Sequence, residues 1–88
     1  MKQSKWFLYI LLCSDGTYYT GVTTDVDRRL NEHNTNKRGA KYTKTRRPVN
    51  LVYTKEFGNR SSAQAAEYKV KRLTKKQKIL LILKERFL

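Results

Sequence analysis

Two phenols, a guanidinium, an imidazole and one isolated carboxylate are the groups in this 88-residue chain whose spacing can bring them together. Tyr9 and Tyr19 stand ten residues apart, on either side of Ser14-Asp15-Gly16, a sequence suited to a tight turn with Gly16 able to take a positive φ. Arg29 and His33 are four apart, so in a helix they share a face, flanking a Val26/Leu30 packing stripe. Glu67 is the only acid between Glu56 and Glu85, and its neighbours include Lys69, Lys71 and Arg72. A carboxylate in so positive a field stays ionised and is a candidate ligand for a hard divalent cation. Brought together, the five side chains would surround a pocket sized for a phosphate.

Particular elements must position them. Trp6 to Leu12 is a continuous apolar run of strand length and reads as a central strand buried on both faces. Thr17 to Thr23 is β-branched and aromatic, a second strand in a hairpin with the first. A three-residue Ser14-Asp15-Gly16 loop sets Cys13 opposite Thr17, Leu11 opposite Tyr19 and Tyr9 opposite Gly21. Opposed residues share a face, so both tyrosines project from one side of the sheet; a two-residue turn would separate them. Gly21 is expected to leave bare space beside Tyr9 where a ligand backbone can approach. Thr24 or Asp25 caps a short helix from about Asp25 to Asn34.

Asn34 to Arg47 lacks periodicity and is followed by Pro48; it reads as a long basic loop, and long ordered loops are often functional. Val49 to Phe57 is a third strand. Two helices follow, opened by the capping-box patterns Ser61-Ser-Ala-Gln64 and Thr74-Lys-Lys-Gln77. Ala63, Ala66, Val70 and Leu73 stripe the former, and Ile79, Leu80, Ile82, Leu83 and Phe87 the latter. The expected architecture is α+β, one domain over residues 1–88, with a three-stranded, mainly antiparallel sheet flanked by three helices in the order ββαβαα.

Charge points to the partner. Twenty Lys and Arg against seven Asp and Glu give a formal net charge of +13. From Lys37 to Arg47 there are six basic residues and no acid, and from Lys69 to Lys84 seven more. A solvated helix face normally mixes signs, so this imbalance points to a polyanion, and nucleic acid before a membrane surface. Lys37, Arg38, Lys41, Lys44, Arg46 and Arg47 would track a phosphate backbone, Tyr42 would stack a base, and Lys71 and Lys75 would extend the stripe. No apolar run approaches the ~20 residues needed to span a bilayer. Lys2 to Lys5 and the apolar run after it lack a cleavage site. Cys13 is the single cysteine and reads as strand packing, Trp6 as core edge; a cytoplasmic setting is expected.

The residues as a set resemble a known family. Phe7-Leu8-Tyr9 and Tyr19-Thr20-Gly21 are similar to the paired tripeptides of the GIY-YIG nuclease superfamily, and the likeness continues through Gly21 to Asn34, Gly39 to Thr43, Pro48 to Tyr53 and Ala66 to Lys71. Within it the chain looks like the small stand-alone domains of the UPF0213 (YhbQ-like) group. The resemblance implies hydrolysis of a phosphodiester in DNA, or RNA, with one Mg²⁺ or Mn²⁺, leaving a 5′-phosphate and a 3′-hydroxyl. It implies that Tyr9, with Tyr19, helps deprotonate or position the attacking water, that Arg29 neutralises charge on the scissile phosphate, that His33 hydrogen-bonds within the site, and that Glu67 binds the metal. Two features depart from relatives: position 22 is Val where one branch has a lysine, and no asparagine follows Asn59.

Each residue has a plainer role. Tyrosines are common in strands, Arg29 can pair with Asp25, Glu67 with Lys71, and single histidines are usually partly exposed. A basic module that grips nucleic acid without cutting it is the competing function. Glu67 separates the two, because a pure phosphate binder gains nothing from an acid among lysines. A membrane-surface role for Lys75 to Phe87 would need an apolar face that so small a core requires for itself.

Overall fold

A computed structural model describes residues 5–35 and 38–86. The chain runs β1 (Trp6–Leu12), β2 (Tyr18–Thr23), α1 (Val26–Thr35), α2 (Lys41–Lys44), β3 (Asn50–Phe57), α3 (Arg60–Lys71) and α4 (Lys75–Arg86). The sheet is antiparallel with strand order β2-β1-β3, so the apolar first strand is central, as its composition requires.

The hairpin has the expected register: Leu11 opposes Tyr19 and Tyr9 opposes Gly21. Gly16 adopts φ 83°, and Cys13 N–H donates to the Thr17 carbonyl at 2.8 Å to close the loop. Between β1 and β3 the ladder slips after Ile10: Ile10 opposes Tyr53 and Leu11 opposes Leu51, leaving Val52 as the extra residue of a bulge.

Helices cover both faces. Leu8 and Ile10 point toward α3 and α4, where Tyr53, Val70 and Ile82 complete a buried cluster against which Ala66, Leu73 and Leu81 pack. Tyr9 and Leu11 point the other way and pack with Cys13, Val49, Tyr19 and Leu30 of α1.

Four expectations need correction. The stretch after Asn34 is not one long loop, because α1 reaches Thr35 and Lys41–Lys44 forms a short helix. The cap of α3 is Asn59, whose side chain accepts from Ser62 N–H at 2.8 Å, rather than the Ser61 box. Ser61 and Asn59 have similar capping chemistry, and the earlier one starts the helix. The box at Thr74 and Gln77 does form, with reciprocal bonds of 2.9 and 3.2 Å. The apolar stripe of α4 is mostly not buried: Ile82 is inside, while Ile79, Leu80 and Leu83 are exposed. The sheet face is already covered by α3, so only one edge of α4 reaches it. Phe87 lies outside the described residues. The fourth correction, at Gly21, concerns the site below.

Gly39 sits where the chain returns to α1. A Cβ built there would lie 2.6 Å from the Glu32 carbonyl oxygen and 2.9 Å from His33 Cα, both backbone atoms that cannot swing aside. Gly39→Ala is expected to lose about 1–3 kcal/mol of stability. Urea unfolding measures this, and an unchanged midpoint would contradict the packing described.

Candidate functional site

The hairpin's shared face and the first helix bring three of the expected side chains into direct contact. Tyr9, 2 % exposed, has its hydroxyl 2.8 Å from His33 Nε2, and His33 itself is 0 % exposed. The Tyr9 and Tyr19 rings lie 6.4 Å apart between centroids, and Tyr19 meets His33 edge-on at 5.1 Å. The space beside Gly21 is not open to a ligand: a Cβ there would come within 2.5 Å of Tyr9 Oη. The glycine makes room for the phenol of its own partner strand.

His33 is held at its other nitrogen. Nδ1 lies 2.9 Å from Thr43 Oγ1 and 3.3 Å from the Ala40 amide nitrogen. The amide is an obligatory donor, which assigns the lone pair to Nδ1 and the proton to Nε2. Nε2–H then donates to Tyr9 Oη. The Thr43 hydroxyl has one proton to give, which it shares between Nδ1 and the Ala40 carbonyl at 2.8 Å, and the residue is fully buried. Neither Thr43 nor the Ala40 amide was legible as a site group; both belong to the short returning segment that buries the imidazole.

Arg29 extends beside this pair. Its Nη1 bonds Glu32 Oε1 at 3.0 Å and the Arg38 carbonyl at 2.6 Å, so its ion-pair partner is Glu32 and not Asp25. Asp25 instead caps α1, accepting from Arg28 N–H at 3.0 Å. Burial pushes the Tyr9 phenol up to about 12, against the pull of the Arg29 guanidinium; Tyr19 and the Glu67 carboxylate push the same way more weakly. Burial likewise lowers His33 to about 4, with Arg29 and Arg47 adding to the effect and Glu32 opposing it. Both groups are therefore neutral at pH 7.

Glu67 belongs to α3, which packs on the sheet face opposite α1, yet its charge is felt at Tyr9. The Glu67 side chain is 21 % exposed and Oε2 pairs with Lys71 Nζ at 3.1 Å. No cluster of three or more His, Cys, Asp or Glu able to cage a metal occurs among the described residues. One carboxylate open to solvent suits a cation such as Mg²⁺, which keeps several waters and takes few protein ligands.

The basic segment is tied into the fold more than expected. Arg46 Nε pairs with Asp15 at 2.9 Å, its Nη1 bonds the Tyr42 carbonyl at 2.9 Å, and its guanidinium covers the Tyr42 ring at 3.9 Å. Tyr42 is 38 % exposed and stacks on Tyr19 with centroids 5.9 Å apart, so a base could lie on the face under Arg46 only by displacing it. Arg47 Nε donates to the His33 carbonyl at 2.6 Å. Asn34 clamps the chain's return, donating to the Val49 carbonyl at 3.0 Å and accepting from its amide at 2.8 Å. Arg38, Lys41 and Lys44 are exposed, while Lys37 lies outside the described residues. Lys71 holds Glu67, and Lys75 lines a hollow of about 240 Å³ with Thr17, Tyr18, Tyr42 and Lys78.

A three-stranded antiparallel sheet with a tyrosine pair and a helix arginine on one face, and a carboxylate-bearing later helix on the other, makes an α+β domain. The GIY-YIG catalytic domain matches residues 5–79. A UPF0213 protein of Desulfotalea psychrophila is 49% identical over 77 residues, covering 88% of this chain and 70% of that protein. A UPF0213 protein of Streptococcus agalactiae is 53% identical over 76 residues, covering 86% and 85%. Among solved structures, a protein of E. faecalis is 44% identical with a TM-score of 0.66, over 96% of this chain and 88% of that one. The UPF0213 protein of Bacillus halodurans is 46% identical with a TM-score of 0.57, over 89% and 82%. The chain belongs to the GIY-YIG superfamily, a family of nucleases, and to its UPF0213 group. No helix among the described residues is long and apolar enough to cross a membrane.

Because His33 is neutral when folded and ordinary when unfolded, stability depends on pH in a known direction. The benefit of keeping it neutral is complete above pH 6.5 and is lost as pH falls toward about 4, where the unfolded chain binds the extra proton. Over that window wild type is expected to lose about 3 kcal/mol more than His33→Gln. Parallel urea titrations at several pH values measure the difference; matching slopes would place His33 in contact with water.

Proposed function

We propose that this chain is a metal-dependent endonuclease that hydrolyses phosphodiester bonds in DNA, or RNA, giving 5′-phosphate and 3′-hydroxyl ends. The observation that carries the reading is the Tyr9–His33 pair, 2.8 Å apart, with Arg29 on the same helix as His33; Glu67, a lone acid among lysines on α3, adds the carboxylate that a metal would need. A module that only gripped phosphate would gain nothing from that carboxylate. Binding of the polyanion follows from the +13 charge.

In this reading Glu67 would hold Mg²⁺ or Mn²⁺, which would supply Lewis-acid stabilisation of the phosphate. Arg29, fixed by Glu32 and the Arg38 carbonyl, meets the charge that builds on the scissile phosphate. Tyr9 is a neutral phenol at pH 7. Its hydroxyl meets His33 Nε2 and the Arg29 guanidinium, and it orients the attacking water or a phosphate oxygen as a fixed hydroxyl rather than as a resident phenolate. His33 sets that orientation. Tyr19 closes the aromatic wall between this centre and Tyr42. The Val22 side chain, where some relatives carry a lysine, contributes packing against the α3 face instead.

A panel of labelled DNA and RNA substrates with Mg²⁺ or Mn²⁺ tests the proposal. Wild type should cut, EDTA should stop it, and Arg29→Ala should slow it by at least about 10²–10³-fold. Glu67→Ala should be inactive; persistent cutting by that variant, free of contaminating nuclease, removes the metal role. Binding of every substrate with no cutting under either ion would establish the non-catalytic module instead.

Tyr9→Phe separates orientation from bulk. It keeps the ring over Gly21 and loses only the hydroxyl, so the rate should fall by about 10²-fold while the fold persists. Equal rates for the two proteins would take the phenol out of the mechanism.

A further inference from the structure

Arg29 is shared between the centre described above and a second hollow. This cavity of about 340 Å³ has Trp6, Thr24, Arg28, Arg29, Glu32 and Arg60 among its walls. It forms where the start of β1, the end of β2 and the first turns of α1 and α3 meet. Its volume falls in the range of about 300–1,000 Å³ typical of clefts that take small ligands.

Its charge is not self-compensated. Three guanidinium groups face one carboxylate, and that carboxylate is consumed by Arg29 at 3.0 Å. Arg28 and Arg60 make no ion pair with a described residue; the Arg60 guanidinium lies over the Trp6 ring, 5.3 Å from its centroid. Both cations also stand in the first turn of a helix, Arg28 third in α1 and Arg60 first in α3. The helix dipole disfavours positive charge there, so neither arginine is placed for helix stability. An anion in the hollow would satisfy both at once. Trp6, half-buried beside Arg60, adds a flat apolar surface of the kind on which a base or sugar rests. The basic segment near α2 offers less, since Arg46 and Arg47 are bonded into the fold.

We infer that this hollow holds the nucleotide adjoining the scissile phosphate, its own phosphate between Arg28 and Arg60 and its base or sugar against Trp6. The inference rests on the reading of Tyr9, Arg29 and Glu67 as the cutting centre, because Arg29 is the wall the two sites share. It assigns Trp6, Arg28 and Arg60 to substrate binding.

Trp6 is the only tryptophan, so its emission reports on this hollow. Metal-free protein in EDTA, titrated with an oligothymidylate, should show saturable quenching of Trp6. Arg28→Ala and Arg60→Ala should each weaken binding about tenfold and lower the salt slope by about 1, whereas Lys76→Ala on the exposed side of α4 should change affinity far less. If a labelled oligonucleotide binds by anisotropy while Trp6 emission stays unchanged, or if the three substitutions are equivalent, the assignment is wrong. The two readings fail separately. A chain that cuts in a Glu67-dependent way with a silent Trp6 overturns the hollow alone, and quenching without any Mg²⁺- or Mn²⁺-dependent cutting counts against the nuclease.

Discussion

The hydrogen bond between Tyr9 and His33, 2.8 Å long and sealed from water, is the interaction on which the rest of this small domain turns. It joins the central strand to the first helix across what would otherwise be a purely apolar interface. A buried imidazole is costly unless both nitrogens are satisfied, and that requirement reaches outward through the chain. Nδ1 needs the Ala40 amide and Thr43; those need the chain to fold back after α1; the return needs Gly39 against the Glu32 carbonyl and Asn34 clamped to Val49. One polar pair thereby organises about fifteen residues that have no periodic pattern of their own.

Electrostatics divides the arginines into two kinds. Arg46 and Arg47 are spent on carbonyls, an aspartate and an aromatic ring, and they fasten the returning segment to the hairpin turn and the end of α1. Arg29 is half-way between the kinds, paired with Glu32 on one side and beside the phenol on the other. Arg28 and Arg60 make no ion pair with a described residue, and Arg60 only rests over the Trp6 ring. Net charge alone does not separate these cases, because a guanidinium already bonded to protein gives a phosphate little that it did not have. The polyanion is read better from unpaired cations than from their total.

This division explains what the sequence could and could not disclose. The hairpin register followed from turn chemistry, since Ser14-Asp15-Gly16 admits one loop that keeps both tyrosines on a face, and Gly16 took the positive φ that loop demands. The strands, the sheet and the three long helices followed from apolar runs and caps. His33 did not disclose its burial, because spacing placed it on the flank of α1 and said nothing of the segment that covers it. A four-residue helix such as Lys41–Lys44 is too short to carry a period, so Thr43 looked like any loop threonine. Gly21 was misread for a related reason: a missing Cβ shows that something comes close, and here the visitor is Tyr9 rather than a ligand. The stripe on α4 was real as a pattern, but a pattern does not say how much sheet is left to cover, and Leu80 ended 57 % exposed. Asp25 and Glu32 both lie within helical reach of Arg29, and the carboxylate nearer the N-terminus goes to the cap, which leaves Glu32 for the guanidinium.

The sheet order resolves the remaining geometric difficulty. Tyr9 and Glu67 come from elements on opposite faces of the sheet, which ordinarily would keep them apart by its full thickness. With β2 at an edge and Gly21 on that strand, the Tyr9 ring extends over β2 toward the border of the sheet, and α3 packs across β2 and β1 from beneath. The helix that carries Glu67 thus lies beneath the strand over which the phenol extends. A site built this way needs no deep cavity in a core of so few residues: it uses the rim, where a polymer can lie across it, and it gathers groups from both layers without opening either.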